Sequence, residues 1–230
     1  MSGRLPEAAS EKSSSETGEK REFTLEGELA RLEPMRLGHV EGLLDAADED
    51  RSTFAFTWVP SDRAAMTAYV ERGMALREAG EQVPFVTWSR REERIVGSTR
   101  FYDLTSWDWS FLSSNLATDQ HHDRPDVASI GYTWLARSAQ RSGINTEAKV
   151  LMMTYAFEQW GVRAVRLLTD ARNERSRAAI ARLGCTLDGV LRADRPAADG
   201  TVRDSAVFSM LANEWPAHKA SLIARLAGRT

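Results

Sequence analysis

A strand, a glycine-containing turn and a long amphipathic helix follow one another between residues 128 and 160. Residues 128–135 (ASIGYTWL) predict a strand. In residues 143–160 the apolar residues recur at helical spacing and form one stripe, which consists of Ala148, Leu151, Met152, Tyr155 and Ala156. A helix with one apolar stripe must bury it against another layer, so this stretch predicts a helix that packs on a sheet.

The other periodic segments extend this unit into a larger sheet. Strands are predicted at residues 29–32, 84–89, 94–104, 164–169, 185–191 and 201–210. Helices are predicted at residues 38–47, from a cap at Ser61 or Asp62 to Gly80, at 173–183 and at 213–226. The charged turn 90–93 predicts a hairpin, and Asp199-Gly200 predicts a second one. This order of elements is typical of an α/β or α+β domain with a central mixed sheet.

The length and composition predict one domain with a tail. The chain has 230 residues, of which 42% are hydrophobic, and this suffices for a sizeable core. Residues 1–22 are rich in Ser, Glu, Lys and Gly, and such a segment buries too little apolar surface to fold, so we expect a disordered tail. Residues 23–230 are expected to form a single domain. Residues 105–128 form a long polar loop, which is usually functional or mobile.

Charge and cysteine usage narrow the classes of partner. The net charge of −3 gives no basic excess, so we expect neither nucleic acid nor a membrane surface as the main partner. No apolar run approaches the roughly 18 residues that span a bilayer. Cys185 is the single cysteine, so no internal disulfide and no metal site are expected, and it is interpreted as a small core residue. Residues 1–20 lack the apolar core of a secretory signal, and a cytoplasmic protein is expected.

The segment Gln140–Ala148 (QRSGINTEA), between a predicted strand and a predicted helix, has the features of an anion site. The first N–H groups of a helix have no internal partner, and the helix dipole places partial positive charge there. Gly143 allows close approach of a ligand to the backbone, and Arg141 adds a full charge for phosphate.

Two known phosphate-binding motifs do not fit this segment. A P-loop would end in Gly-Lys-Ser/Thr, and a dinucleotide fingerprint needs three glycines where this turn has one. The local pattern alone also permits a helix start with an incidental glycine.

Residues 140–145 (QRSGIN) resemble the pyrophosphate loop Gln/Arg-x-x-Gly-x-Gly/Ala of the GCN5-related N-acetyltransferase (GNAT) superfamily. Asn145 stands where Gly or Ala is usual, and Gly-Ile-Asn-Thr-Glu-Ala is similar to a variant of the Rim-type ribosomal-protein N-terminal acetyltransferases. Further resembling segments occur in the family's order, at residues 25–34, 95–100, 130–135, 169–176, 182–184 and 199–204. The resemblance covers roughly residues 23–215 and implies a mostly antiparallel GNAT-like sheet flanked by helices.

The resemblance also implies a co-substrate, acetyl-coenzyme A (acetyl-CoA), and residues that bind it. The strand segment whose backbone would pair with the pantetheine arm and polarise the thioester contains Tyr132, Thr133, Trp134 and Leu135. The N–H groups that would hold the pyrophosphate belong to Arg141, Ser142, Gly143, Ile144, Asn145 and Thr146. Asn173 would hydrogen-bond the pantetheine, with Ser176 beside it.

Acyl transfer to an amine needs proton transfers, and the resemblance suggests two residues for them. Many family members use a tyrosine acid seven residues after the asparagine, but here that position is Ile180. Ser176 matches the serine that Rim-type enzymes place three residues after the asparagine, and is the candidate acid. Alternatively, Ser176 is a small residue packed on the core.

Asp188 matches a Rim-type glutamate in the segment after Leu183-Gly184 and is the candidate base, although its side chain is one methylene shorter. Alternatively it is a solvated residue before a turn. His121 and His122 are a second option, because histidine has a suitable intrinsic pKa.

The predicted acceptor is a primary amine, either a protein N-terminus or a small molecule, and the acidic net charge mildly favours a cationic one. Residues that could line its pocket are Trp58, Trp107, Trp109, His121 and His122. Alternatively, the tryptophans anchor their loops to the core and the two histidines are solvated. The resemblance also suggests a homodimer. An alternative of another class is a non-catalytic acyl-CoA-binding module with a regulatory role.

Overall fold

An eight-stranded mixed sheet organises the computed structural model, which describes residues 22–109 and 124–228. The strands lie in the order β1-β2-β3-β4-β5-β6-β8-β7. Their bounds are β1 Leu25–Glu26, β2 Ala30–Pro34, β3 Val83–Ser89, β4 Arg94–Thr105, β5 Val127–Leu135, β6 Ala164–Asp170, β7 Thr186–Pro196 and β8 Val202–Leu211. Neighbouring strands are antiparallel except for the parallel pair β5–β6. The predicted mixed, mostly antiparallel sheet is confirmed.

Helices cover both faces of this sheet. They are α1 Val40–Asp48, α2 Arg63–Glu78, α3 Ile144–Thr154, α4 Glu174–Ala181 and α5 Trp215–Ala227. Of the two predicted caps of α2, Asp62 is the N-cap, because its Oδ1 accepts a hydrogen bond from the N–H of Ala65 at 2.9 Å. The helix ends before Gly80, which adopts a left-handed φ of 74°.

The helix predicted over residues 143–160 changes its geometry near its end. After Thr154 the chain continues as a π-helical turn, Tyr155–Trp160, which ends at Gly161 with φ 69°. Two aromatic side chains of this turn contact other elements: Tyr155 stacks on Phe23 at 3.9 Å, and Trp160 lies 4.8 Å from Phe101. A π turn accommodates more residues than an α turn and so redirects the side chains that follow.

Two apolar cores lie on opposite sides of the sheet. One contains Phe101 and Ile130 with side chains of α3, α4 and α5, and the other contains Val96 and Trp134 with side chains of α1 and α2. Cys185, 6% exposed, belongs to the first core, as predicted. β5 therefore contributes to both cores before it reaches the turn that precedes α3.

Candidate active site

The parallel strands β5 and β6 separate after a short paired stretch. Their register joins Val127 to Ala164 and ends at Ser129 and Arg166. Beyond these residues β5 pairs only with β4, and β6 only with β8. We call the space between the diverging ends the wedge. Its β5 edge carries backbone N–H and C=O groups that no strand pairs, and an extended ligand can bind to such an edge.

A β-bulge interrupts the pairing of β5 with β4 at the level of the wedge. Tyr132 and Thr133 together stand opposite Thr99 of β4, and Tyr132 adopts a left-handed φ of 51°. A bulge bends a strand and redirects its backbone groups. Beneath the bulge, Lys149 Nζ of α3 donates hydrogen bonds to Thr99 Oγ1 at 3.0 Å and to Thr133 Oγ1 at 2.7 Å. Lys149 is 4% exposed, and burial lowers its pKa to about 7.

The predicted anion-binding turn lies at the open end of the wedge. The first helical hydrogen bond runs from the N–H of Glu147 to the carbonyl of Gly143 at 3.0 Å, so the N–H groups of residues 144–146 precede the helical ladder. Ile144 N–H has one distant contact, Ser142 Oγ at 3.4 Å. Arg141 and Gly143 both adopt left-handed φ values, 64° and 98°. The turn therefore has the geometry that the sequence predicts for an anion site.

Two side-chain hydrogen bonds of Gln140 hold this turn in place. Its Nε2 donates to the carbonyl of Leu135 at 3.0 Å, and its Oε1 accepts from Arg175 Nη2 at 2.7 Å. These bonds join the end of β5 to the first turn of α4, so Gln140 has a structural role. Arg175 adds positive charge beside the helix start, and no sequence motif pointed to it.

The hydrogen bond between Arg175 and Gln140 joins the start of α4 to the turn. Asn173, the N-cap of α4, and Ser176 belong to this start. Asn173 Oδ1 accepts the N–H of Ser176 at 3.0 Å and thereby caps α4. The amide Nδ2 of Asn173 is then the donor that its side chain can offer to a ligand. Within the described part of the chain, the Ser176 hydroxyl has no hydrogen-bond partner and is half-buried.

Asp188 lies away from the wedge. It is exposed on β7, which is separated from β6 by β8, and its Oδ1 accepts a hydrogen bond from Ser209 Oγ at 2.9 Å. Since neighbouring strands are about 4.8 Å apart, Asp188 is roughly 10 Å from β6. A role as base therefore requires a relay through water.

Two other carboxylates, Asp170 at the end of β6 and Asp194 on β7, are held ionised by hydrogen bonds. Asp170 ends β6, and the hydrogen bond from Arg172 lowers its pKa. Burial raises the pKa of Asp194, but hydrogen bonds from Ser205 and Arg195 outweigh this effect, so the pKa is lowered. A carboxylate with a lowered pKa is a weak base for an ammonium group.

The acceptor side of the wedge is bordered by residues 56–58. The Arg172 guanidinium, which follows β6, lies 5.6 Å from the ring of Phe56. Trp58, 62% exposed, lies 6.3 Å from the ring of Tyr69 on α2. The structure therefore brings Trp58 to the side where an acceptor would approach.

Trp107 and Trp109 are not walls of the wedge. The backbone N–H of Trp107 donates to Asp126 Oδ2 at 2.7 Å, and the ring centre of Trp109 is 5.0 Å from the Arg163 guanidinium. Asp126 and Arg163 precede the paired ends of β5 and β6. Tyr132 is about 17 Å farther along the strand, at about 3.3 Å per residue. The predictions for His121 and His122 concern residues outside those that the structure describes.

Fold and site together define a protein that holds an extended, phosphate-bearing ligand between two diverging strands. The chain belongs to the GNAT acetyltransferase family, because the family profile described as "Acetyltransferase (GNAT) domain" matches residues 30–186.

Several relatives agree with this assignment. "Putative ribosomal N-acetyltransferase YdaF" of Bacillus subtilis (strain 168) is 36% identical over 92 residues, which are 40% of this chain and 49% of that protein, or about half its length. A GCN5-related N-acetyltransferase from Brucella melitensis has a TM-score of 0.73 at 26% identity, covering 89% of this chain and 86% of the other. RimJ of Mycobacterium smegmatis shares the fold, with a TM-score of 0.71 at 21% identity over 90% of this chain and 95% of that one.

Proposed function

We propose that this protein transfers an acetyl group from acetyl-CoA to a primary amine. The observation that carries the proposal is that an unpaired β5 edge meets, at one end of the wedge, a helix start whose first N–H groups precede the helical ladder. The pantetheine would extend along β5, and the pyrophosphate would bind the N–H groups of residues 141–146. The RimJ structure, described as a complex with CoA-disulfide, supports this choice of ligand.

In the proposed reaction, the neutral amine nitrogen attacks the acetyl carbon and the carbon–sulfur bond breaks. Negative charge develops on the acetyl oxygen, where a backbone N–H of the bulge at Tyr132 and Thr133 would stabilise it. The nitrogen then loses a proton to solvent or to a base. The departing thiolate gains one, and the Ser176 hydroxyl is the candidate donor. Because a thiol has a pKa of roughly 8.5, the thiolate leaves readily and acid assistance is modest.

The test is release of free thiol from acetyl-CoA in the presence of a panel of amines and N-terminal peptides. Turnover with at least one amine is expected. CoA binding without any turnover would instead favour the non-catalytic module, and absence of CoA binding would reject both.

Asn173 offers a test of the coenzyme site that separates binding from folding. Asn173→Ser keeps an oxygen that can cap α4 but removes the amide donor, so we expect about tenfold weaker CoA binding at unchanged stability. Asn173→Ala should weaken binding similarly and also cost about 1 kcal/mol of stability, because the cap is lost. Calorimetric titration with CoA and urea unfolding measure the two effects. Wild-type affinity in Asn173→Ser would reject the amide contact.

Asp188 is proposed as a base that acts through water. Asp188→Asn is then expected to lower kcat by about tenfold or more while CoA affinity stays unchanged. Ser209→Ala, which removes the hydroxyl that donates to Asp188, is the control and should preserve most of the rate. An unchanged kcat in Asp188→Asn would remove this residue from the mechanism.

Cytoplasmic location and a homodimer remain proposals that rest on the sequence and the resemblance. Among the described residues, no helix combines the length and the apolar character that crossing a bilayer requires. The same residues contain no cluster of His, Cys, Asp and Glu suited to a metal ion.

A further inference from the structure

Arg100 is a buried arginine without a carboxylate partner in the part of the chain that the structure describes. It lies in the middle of β4, is 3% exposed and pairs in register with Gly131 of β5. Among residues 22–109 and 124–228, its guanidinium makes one hydrogen bond, from Nη1 to Gln82 Oε1 at 2.9 Å. Its Nε and Nη2 atoms are buried and have no partner there. Buried arginines are normally paired, because an unpaired buried charge is costly.

Two aromatic rings contact the Arg100 guanidinium but leave those donors free. Its central carbon is 4.8 Å from the ring centre of Tyr69 and 4.4 Å from that of Tyr132. Cation–π contacts use the face of the guanidinium, whereas its N–H donors lie in the plane. Nε–H and Nη2–H lie side by side on one edge, and this is an arrangement that a carboxylate accepts with two parallel hydrogen bonds.

Arg100 lies one strand away from the wedge, opposite Gly131 of β5. Tyr132, which covers the guanidinium, is 47% exposed and forms part of the bulge beside the proposed thioester position. Tyr69 is in turn in contact with Trp58 on the acceptor side. Because Nε and Nη2 of Arg100 are buried, a ligand reaches them only if a neighbouring side chain moves, and Tyr132 is the half-exposed one.

Two further arginines act on a ring that packs against Tyr132. The Tyr102 ring packs edge-on against Tyr132 at 5.2 Å, and both Arg195 and Arg203 act electrostatically on the Tyr102 hydroxyl. Arg195 is paired with Asp194 at 2.7 Å, but Arg203 forms no ion pair with any residue that the structure describes. Burial, and then the charge of Arg195, lower the pKa of Arg203. Asp103 also acts on Tyr102, and Asp170 and Asp194 act on Arg203, so this region contains charges of both signs. The preference for a carboxylate is therefore inferred from the free donors of Arg100 and not from the local charge.

We propose that Arg100 binds a carboxylate of the acceptor, so that the substrate is a primary amine carrying a carboxylate a few bonds from its nitrogen. The inference rests on the proposed acetyl transfer and specifies its substrate class. Two sources share this chemistry, a free amino acid and a peptide N-terminus followed by an acidic residue. Arg100 acts here as a specificity residue, and acetyl-CoA binding does not involve it.

The experiment compares acceptors that differ only in the carboxylate. L-leucine is paired with L-leucinamide, and a dipeptide amide with aspartate second is paired with its asparagine counterpart. The wild-type protein should acetylate the acid of at least one pair with about 10- to 100-fold higher kcat/KM, the range expected for hydrogen bonds to a charged group. In L-leucine the carboxylate raises the amine pKa and lowers the neutral fraction, which works against the expected preference. The pair that responds identifies the source.

Variants assign the preference to Arg100. Arg100→Met should remove the preference while CoA affinity stays unchanged, and Arg100→Lys should restore only part of it, because an ammonium cannot form the two parallel bonds. Arg91→Met, in the exposed turn between β3 and β4, is the matched control and should retain the preference. Equal rates for acid and amide in the wild-type protein would overturn the proposal without any variant.

Equilibrium binding keeps this proposal separate from the proposed activity. If CoA binds but no amine is turned over, acetyl transfer fails, and the carboxylate site is judged from binding of the acetylated compounds to the CoA-loaded protein. N-acetyl-leucine should bind about tenfold or more tightly than N-acetyl-leucinamide. Equal affinities would overturn the carboxylate site.

Discussion

Lys149→Met is expected to stabilise the protein at pH 7 and to remove a rise in stability that the wild-type protein shows above that pH. Lys149 is buried beneath the bulge, and burial lowers its pKa from 10.5 to about 7. Charging this amine in the folded state therefore carries a cost, which is about 4 kcal/mol at pH 7 at about 1.4 kcal/mol per pH unit. Methionine has a similar length and no charge, and Thr99 and Thr133 still hydrogen-bond each other at 2.8 Å.

The sign of the pH dependence follows from proton binding. Between the folded and unfolded pKa values of Lys149, the unfolded chain binds a proton that the folded protein lacks. Stability therefore rises with pH across this window, and below about pH 7 the penalty is fully present. Relative to Lys149→Met, the wild-type protein should gain about 2 kcal/mol between about pH 7 and 9.

The measurement is urea unfolding of both proteins across this range. Burial raises the pKa of Cys185 to about 12, which opposes the rise above about pH 9, but this contribution is common to both proteins and cancels in the difference. Lys219→Met is the control, because Lys219 pairs with Glu158 near the surface at 2.6 Å and should leave the pH dependence unchanged. Parallel pH profiles for wild type and Lys149→Met would show that the buried amine stays charged.

Glu147→Ala is expected to destabilise the protein by about 3 to 5 kcal/mol, because the Glu147 carboxylate accepts several charge-assisted hydrogen bonds. Its Oε1 accepts the N–H of Glu28 at 3.0 Å, and its Oε2 accepts those of Leu29 and Ala30 at 2.7 and 2.6 Å. These bonds tie the turn between β1 and β2 to the first turn of α3. Removal of the carboxylate leaves partly buried donors that water reaches incompletely.

A graded series tests this explanation by urea unfolding. Glu147→Gln keeps the shape and one acceptor oxygen, so its loss should be about half that of alanine. Glu174→Ala removes an exposed acidic residue from the first turn of α4 and should change stability by less than about 0.5 kcal/mol. A loss for Glu147→Ala no larger than that of Glu174→Ala would contradict the proposed role of these bonds.

Local patterns in the sequence predicted most elements and the glycine turn between β5 and α3. The helical stripe of residues 143–160, the cap at Asp62 and the turn at Gly143 depend on neighbours within a few residues, and each has its predicted place in the structure. Helix starts, caps and glycine turns are local in origin, which is why the sequence alone sufficed for them.

Residues whose roles depend on distant partners were assigned poorly or missed. Trp107 and Trp109 resembled binding-loop tryptophans, but the pairing of β5 with β6 places them at the closed end of the strand pair. In the sequence, Lys149 and Glu147 look like solvated helix residues, yet both are buried against strands that are far away along the chain.

The sequence by itself determined the order of the elements, the amphipathic helix and the glycine turn before it, because these follow from spacing and backbone preferences over a few residues. The tertiary structure alone decided where β5 leaves β6, which polar groups lie beneath the bulge and that Arg100 has no carboxylate partner within the described residues. These features arise from strand register and from contacts between segments far apart in the chain, and hydrophobic periodicity carries no information about either.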